Sequence, residues 1–221
     1  MTILPEILPA RQRIARIALG DLIHRAANRF SERPAIFHDE GVVTFAQMNA
    51  QSNRFAHFLI GQGLREGAHV GMLCANSVEM VYAFLGIQKA GLVWVPINTG
   101  LAPDAIEHIL DHAEIGTLVI DGELYARPEL RALIDDRGIR AVVIRPVGPV
   151  AAHLAAIAFD ATLGDMPDTL PEVSIDGTDL LLIMYTSGTT GRQKGVMHSH
   201  ASVYAALMSN LSEFGVVSTD V

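Results

Sequence analysis

The stretch Leu180-Leu181-Leu182-Ile183-Met184-Tyr185-Thr186-Ser187-Gly188-Thr189-Thr190-Gly191-Arg192-Gln193-Lys194-Gly195 decides how this chain is read. Its first part, Leu180 to Met184, is an unbroken apolar run of the kind shown by a strand buried on both faces. Its second part changes abruptly to hydroxyls and glycines, with four hydroxyl side chains among the six residues from Thr186 to Gly191, more than a connecting turn needs. Glycine lets backbone amides turn inward around an anion, and the flanking hydroxyls and Lys194 add donors and one positive charge. The reading is a core strand that opens into a phosphate-holding loop.

A Walker-type loop places its lysine directly after the last glycine, then Ser or Thr, then a helix. This run meets none of the three conditions. Lys194 stands three positions after Gly191, Gly195 follows it, and Val196-Met197-His198 reads as a short strand. An ordinary P-loop NTPase is thereby set aside. A plain Ser/Thr/Gly hairpin turn is the alternative, but such turns need only about two to five residues and no terminal lysine.

The 221 residues, 50% of them hydrophobic, suffice for a sizeable core in one large or two small domains. A formal charge of -8 and the lack of any Lys/Arg cluster argue against a sequence-independent grip on nucleic acid. The single cysteine, Cys74, cannot form an internal disulfide and lies in an apolar run, so it reads as a buried, inert thiol in a reducing compartment. Residues Met1 to Ala18 lack a secretory apolar region, and no stretch approaches the roughly eighteen apolar residues of a membrane span. Cytoplasmic residence without an integral membrane segment is the expectation.

Around the opening stretch the pattern is α/β. Asp21 is placed to cap a helix with Leu22, Ile23, Ala26, Ala27 and Phe30 on one face. Ala35-Ile36-Phe37 and Val42-Val43 bracket Asp39-Glu40-Gly41 as a hairpin, and Thr44 with Gln47 is a capping-box pattern. Strands are predicted near Val70 to Cys74, Leu92 to Ile97, Thr117 to Ile120 and Ala141 to Ile144. Helices separate them: one capped at Asn76 or Ser77, one with Pro103 in its first turn, one around Glu129 to Arg137. The alternation predicts a mainly parallel β-sheet with flanking helices. No GxGxxG follows a strand, so a dinucleotide fold lacks its fingerprint. Residues 146 to 178 read as a surface connection back into the sheet, with an alanine-rich helix near Val150 to Ala158.

His108 and His112, spaced i and i+4, superficially resemble a zinc helix, but no third ligand is identifiable and a solvated helix face is the expectation. His198 reads as structural, and Trp94 and the phenylalanines as core.

The run from Thr186 to Gly195 closely resembles the phosphate-binding motif of the adenylate-forming superfamily, which includes acyl-CoA synthetases, aryl-CoA ligases, peptide-synthetase adenylation domains and firefly luciferase. The usual form there is Thr-Ser-Gly-Thr-Thr-Gly, any residue, Pro, Lys, Gly; here Gln193 stands at the proline, which frees one backbone torsion and adds an amide donor. Asn76-Ser77-Val78-Glu79-Met80 and Lys89-Ala90-Gly91-Leu92-Val93-Trp94-Val95-Pro96-Ile97-Asn98 also look like acyl-CoA synthetases. The resemblance runs from about residue 20 to the end of the chain.

What the resemblance implies is an ATP-dependent ligase that joins a carboxylic acid, a fatty acid first of all, to AMP and then passes the acyl group to the thiol of CoA. Thr186, Ser187, Gly188, Thr189, Thr190, Gly191 and Lys194 would hold the β- and γ-phosphates, and His200, at the family's histidine position, would wall the acyl or adenylate pocket. The family's adenine-binding segment, its magnesium-binding glutamate, its ribose aspartate and its mobile lysine come several hundred residues further on. The expected layout is therefore an incomplete N-terminal portion of the AMP-binding large domain: an extension over 1–20, an α/β region over 21–178, and the strand-loop-strand and following helix over 179–221. Such a piece is expected to be inactive alone, to leave the Mg2+ ligand outside its bounds, and to self-associate through an uncovered face. Loading of a carrier protein, a free-standing nucleotide-binding module and a kinase-like phosphotransferase are the alternatives.

Overall fold

A computed structural model of the chain describes residues 17–148, 150, 156–186 and 192–215. Helix α1 (Leu19–Phe30) leads into an antiparallel hairpin of β1 (Pro34–His38) and β2 (Gly41–Thr44). Thr44 then opens α2 (Phe45–Gly61) with the expected capping box: Gln47 N–H donates to Thr44 Oγ1 at 3.2 Å, and Thr44 N–H donates to Gln47 Oε1 at 2.9 Å. From there strands and helices alternate: β3 (His69–Leu73), α3 (Val78–Lys89), β4 (Val93–Pro96), α4 (Pro103–His112), β5 (Thr117–Asp121), α5 (Gly122–Tyr125), α6 (Pro128–Asp136), β6 (Arg140–Ile144), β7 (Ala156–Ala158) and α7 (Phe159–Leu163). A return segment leads to β8 (Leu180–Thr186), β9 (Lys194–Ser199) and α8 (His200–Phe214).

Seven strands form one sheet in the order β7-β6-β5-β3-β4-β8-β9, and every neighbouring pair is parallel except β8 with β9. Alternation along the strands sends residues to two cores, as a sheet covered on both faces requires. Leu118 and Ile120 of β5, with Ala141 and Val143 of β6, face Ile106, Ile109 and Leu110 of α4 and Leu130 and Ile134 of α6. Val119, Val142 and Ile144 face the other way, onto Phe55, Ala56 and Leu59 of α2, Ala83 and Ile87 of α3, and Phe159 of α7. Ser77 caps α3 by accepting from Met80 N–H at 3.1 Å, and Pro103 occupies the first turn of α4. Among the described residues no helix is long and apolar enough to cross a membrane.

Two expectations change. Helix α1 begins at Leu19, not at an Asp21 cap: the Leu19 N–H, one of the orphan donors at the helix start, is taken by His200 Nδ1 at 3.1 Å, so a residue 181 positions away does the work of a local cap. The alanine-rich segment also departs from the helical reading. Ala156–Ala158 is a strand, β7, paired in parallel with β6, because an edge place beside Ala141 to Val143 outweighs the helix preference of alanine. The remainder of that expected helix, 151–155, lies outside the described residues.

One charge sits inside the helical layer. Lys89, 2% exposed at the end of α3, directs Nζ at Asn49 Oδ1 (2.8 Å), Asn49 O (3.2 Å), Ser52 Oγ (2.7 Å) and Asn53 Oδ1 (2.7 Å), all on α2. Gly20 of α1 rests against its stem, where a Cβ would stand 2.8 Å from Lys89 Cγ. Burial pushes the ammonium from its ordinary 10.5 down to about 7, against the opposing pull of Asp21. Between those values the folded chain has released a proton that the unfolded chain still holds, so stability rises with pH across the window, by at most about 1.4 kcal/mol per pH unit. Urea unfolding between about pH 6 and about pH 9 should show this rise for the native chain, and Lys89→Met should abolish it.

Candidate functional site

The parallel strands all point their carboxyl ends to one edge of the sheet, and β8 runs parallel to β4, so Thr186 emerges at that edge. In open α/β sheets this is the edge at which ligands bind. The loop that follows returns as β9, and the register pairs Thr186 with Lys194 and Tyr185 with Gly195. Thr186, Arg192 and Lys194 are all exposed at the rim. A hydroxyl and two cations thus flank the loop. Ser187, Gly188, Thr189, Thr190 and Gly191, the middle of the expected phosphate cradle, lie outside the described residues.

Gly195 is required by packing. A Cβ there would stand 2.7 Å from Ile183 Cγ2 and 3.3 Å from Tyr185 Cζ, because the tyrosine ring lies across it. Burial pushes the Tyr185 phenol up, so it stays an O–H donor and acceptor through neutral pH. The phenolic oxygen meets His112 Nδ1 at 2.6 Å, with the two rings edge to face. His108, one turn earlier on α4, donates from Nε2 to the Gln193 carbonyl at 3.2 Å. The expected solvated face of α4 is therefore corrected: although His112 is exposed, both imidazoles are engaged by the β8–β9 pair, one on each side of the loop. The sequence signal was available in the i, i+4 spacing, which stacks two side chains on one stripe, and in a tyrosine set among aliphatics directly before the loop.

His200 sits at the first position of α8, 1% exposed, with Nδ1 accepting from Leu19 N–H. His198 lies on β9 opposite Leu182. Elsewhere on the carboxyl edge, just past β3, β5 and β6, Arg145 Nη2 donates to Asp121 Oδ2 at 2.6 Å and Ala75 N–H donates to the same oxygen at 3.2 Å. Cys74, nearby, directs its thiol at the Val119 carbonyl, and burial pushes that thiol up, which leaves it unreactive. Among the described residues no group of three or more His, Cys, Asp or Glu is placed to hold a metal ion.

The tight contact at Gly195 makes a direct test of this packing. Gly195→Ala should cost about 1–3 kcal/mol by forcing Ile183 and the Tyr185 ring apart, read from chemical unfolding, whereas an alanine at the open Gly61 should leave the midpoint nearly unchanged.

Comparison with known proteins gives the same architecture. The profile of the family described as AMP-binding enzyme matches residues 23–221. A long-chain-fatty-acid–CoA ligase of Mycobacterium tuberculosis is 41% identical over 174 residues, which cover 79% of this chain and 33% of that protein. A 3-hydroxybenzoate–CoA ligase of an Aromatoleum strain is 31% identical, over 86% of this chain and 35% of its own length. Among solved structures, the anthranilate CoA ligase AuaEII in complex with anthranoyl-AMP superposes with a TM-score of 0.76 at 30% identity, over 83% of this chain and 35% of that one. The chain thus spans about a third of the length of the curated relatives it matches.

Proposed function

The chain belongs to the AMP-binding enzyme family, and from that premise we propose that it forms the phosphate-loop portion of an ATP-dependent ligase that joins a carboxylic acid to CoA. In the proposed reaction the carboxylate attacks the α-phosphate of ATP and expels pyrophosphate. The CoA thiol then attacks the acyl carbon and AMP leaves. A carboxylate is a poor electrophile, and conversion of one oxygen into an AMP leaving group removes that obstacle. Thr186, Ser187, Gly188, Thr189, Thr190, Gly191 and Lys194 would hold the β- and γ-phosphates, so that their donors meet charge as it gathers on departing pyrophosphate. The observation that carries the reading is the placement of Thr186 opposite Lys194 at the carboxyl edge of the sheet, on either side of the hydroxyl-and-glycine run.

His200, proposed as a wall of the acyl or adenylate pocket, follows Ser199, which pairs with Leu180 at the opposite end of β8 from Thr186, and its buried imidazole ties the start of α8 to α1. A fatty acid is the substrate we propose, supported by the 41% identity to a fatty-acid ligase; a benzoate-type acid is the second reading, supported by the hydroxybenzoate and anthranilate ligases. Mg2+ would come with ATP, held by residues outside those described here, and the reaction would proceed in the cytoplasm.

Carboxylate-dependent exchange of labelled pyrophosphate into ATP is the deciding measurement. The isolated chain should show none, and the full-length ligase should show it with a fatty acid or, on the second reading, a benzoate. In that ligase Lys194→Ala should slow adenylation on the order of a hundredfold to a thousandfold, as loss of about 2.7–4 kcal/mol of charge stabilisation would, with thermal unfolding shifted by less than about 0.5 kcal/mol. Wild-type exchange in the variant would remove Lys194 from the site.

Val196 and Met197, on opposite faces of the edge strand β9, and Leu207, Met208, Leu211 and Phe214 of α8 are exposed large hydrophobics, Phe214 by 77%. Exposed apolar patches beside an edge strand mark association sites. The isolated chain should therefore associate in a concentration-dependent way in sedimentation, and Phe214→Ser with Met197→Ser should favour the monomer.

A further inference from the structure

The phosphate loop is useful only if its donors are held where charge develops, and a run of small residues has no apolar anchor of its own. In this structure the anchoring comes from a different element. We infer that His108 and His112 are positioning residues for the loop: helix α4 grips both of its roots, through Tyr185 before it and the Gln193 carbonyl after it. The inference rests on the phosphate-loop reading given above.

Three observations carry it. The two histidines meet opposite ends of the loop, His112 Nδ1 at the Tyr185 hydroxyl (2.6 Å) and His108 Nε2 at the Gln193 carbonyl (3.2 Å). A carbonyl only accepts, so His108 carries its proton on Nε2. Secondly, Tyr185 has little room to move, since its ring is packed on Gly195 and presents itself edge to face to His112, at 86° and a centroid distance of 5.8 Å. Thirdly, α4 is itself fixed. Its apolar stripe of Ile106, Ile109 and Leu110 is buried in the core, and Arg137 clamps its outer side by donating to Glu107 Oε1 at 2.6 Å and to Asp111 at 2.6 and 2.9 Å. A fixed helix thus holds Tyr185 and Gln193, the two roots of the loop, at a set separation, which lowers the cost of ordering its donors around an anion.

A zinc site is the competing reading of the same pair. It lacks a third ligand among the described residues, and one nitrogen of each ring is already engaged by the β8–β9 pair.

The test uses magnesium pyrophosphate as the probe and calorimetric titration of the chain as the measurement. His108→Leu, His112→Phe and Tyr185→Phe should each weaken binding roughly three- to tenfold, the effect of one hydrogen bond lost from a preorganised site. His108→Gln puts an amide donor near the Nε2 position and His112→Asn a polar atom near Nδ1, so these two should bind close to the native chain; a role in stability alone predicts no such dependence on which ring nitrogen is mimicked. Tyr185→Phe with His112→Phe should be no weaker than either alone. Should His112→Phe unfold the chain, Tyr185→Phe, which removes a single oxygen, decides the matter. Native affinity in Tyr185→Phe and His108→Leu would overturn the latch and leave the phosphate reading standing. Absence of pyrophosphate binding by the native chain would overturn the phosphate reading, and the latch with it.

Discussion

One buried lysine amine organises the helical layer on which the sheet is built. Lys89 Nζ has four oxygen neighbours on α2, its stem is covered by Gly20 of α1, and its own helix is α3. Asn53, one of its partners, reaches further and donates to the Asp168 carbonyl at 2.6 Å, which brings in the return segment that feeds β8. The amine of α3 thus joins α2 directly, with α1 packed on its stem and the Asp168 loop one hydrogen bond further out, and removal of either side would leave a polar group buried without its partner. An apolar residue at 89 would relieve the desolvation but strand Asn49, Ser52 and Asn53 on a face that otherwise carries Met48, Phe55, Ala56 and Leu59.

That layer decides where the chemistry can happen. With helices on both faces of the parallel strands, only the strand ends are open, and the carboxyl ends are where backbone donors and loop side chains converge. Past β5 and β6 this edge carries the Arg145–Asp121 ion pair; past β8 it carries the hydroxyl-and-glycine run. The antiparallel return of β9 then sets Lys194 across from Thr186, so one strand register places both.

Much of this was legible in the chain itself. Continuous apolar runs marked the buried strands, and the local chemistry of Thr44 with Gln47, Ser77 and Pro103 marked helix starts, because those signals are satisfied within a few residues. What escaped was non-local. Asp21 has the chemistry of a cap, yet the helix starts two residues before it, where the Leu19 N–H is satisfied by His200 from far along the chain. Three residues, Ala156 to Ala158, carry too little pattern to announce an edge strand. His108 and His112 read as solvated because helical periodicity shows which stripe they share but not that a tyrosine stands opposite it. Lys89 reads as an ordinary basic residue near a helix end; the polar stripe of Asn49, Ser52 and Asn53 within an apolar face was its only trace.

The hydrogen bond from Leu19 to His200 spans 181 positions, and it bears on the order in which the molecule can be completed. A ribosome makes α1 among the first described elements, but the acceptor for its opening N–H exists only after the β8–β9 pair has been synthesised. Leu19 packs with Leu181 and Leu182, so its apolar surface waits for the same late strands. The first helix is thus docked among the last, and the chain must hold α1 against α2 and α3 alone until then. Contacts of such sequence separation are slow to form, which makes the joining of the two ends a late event in folding.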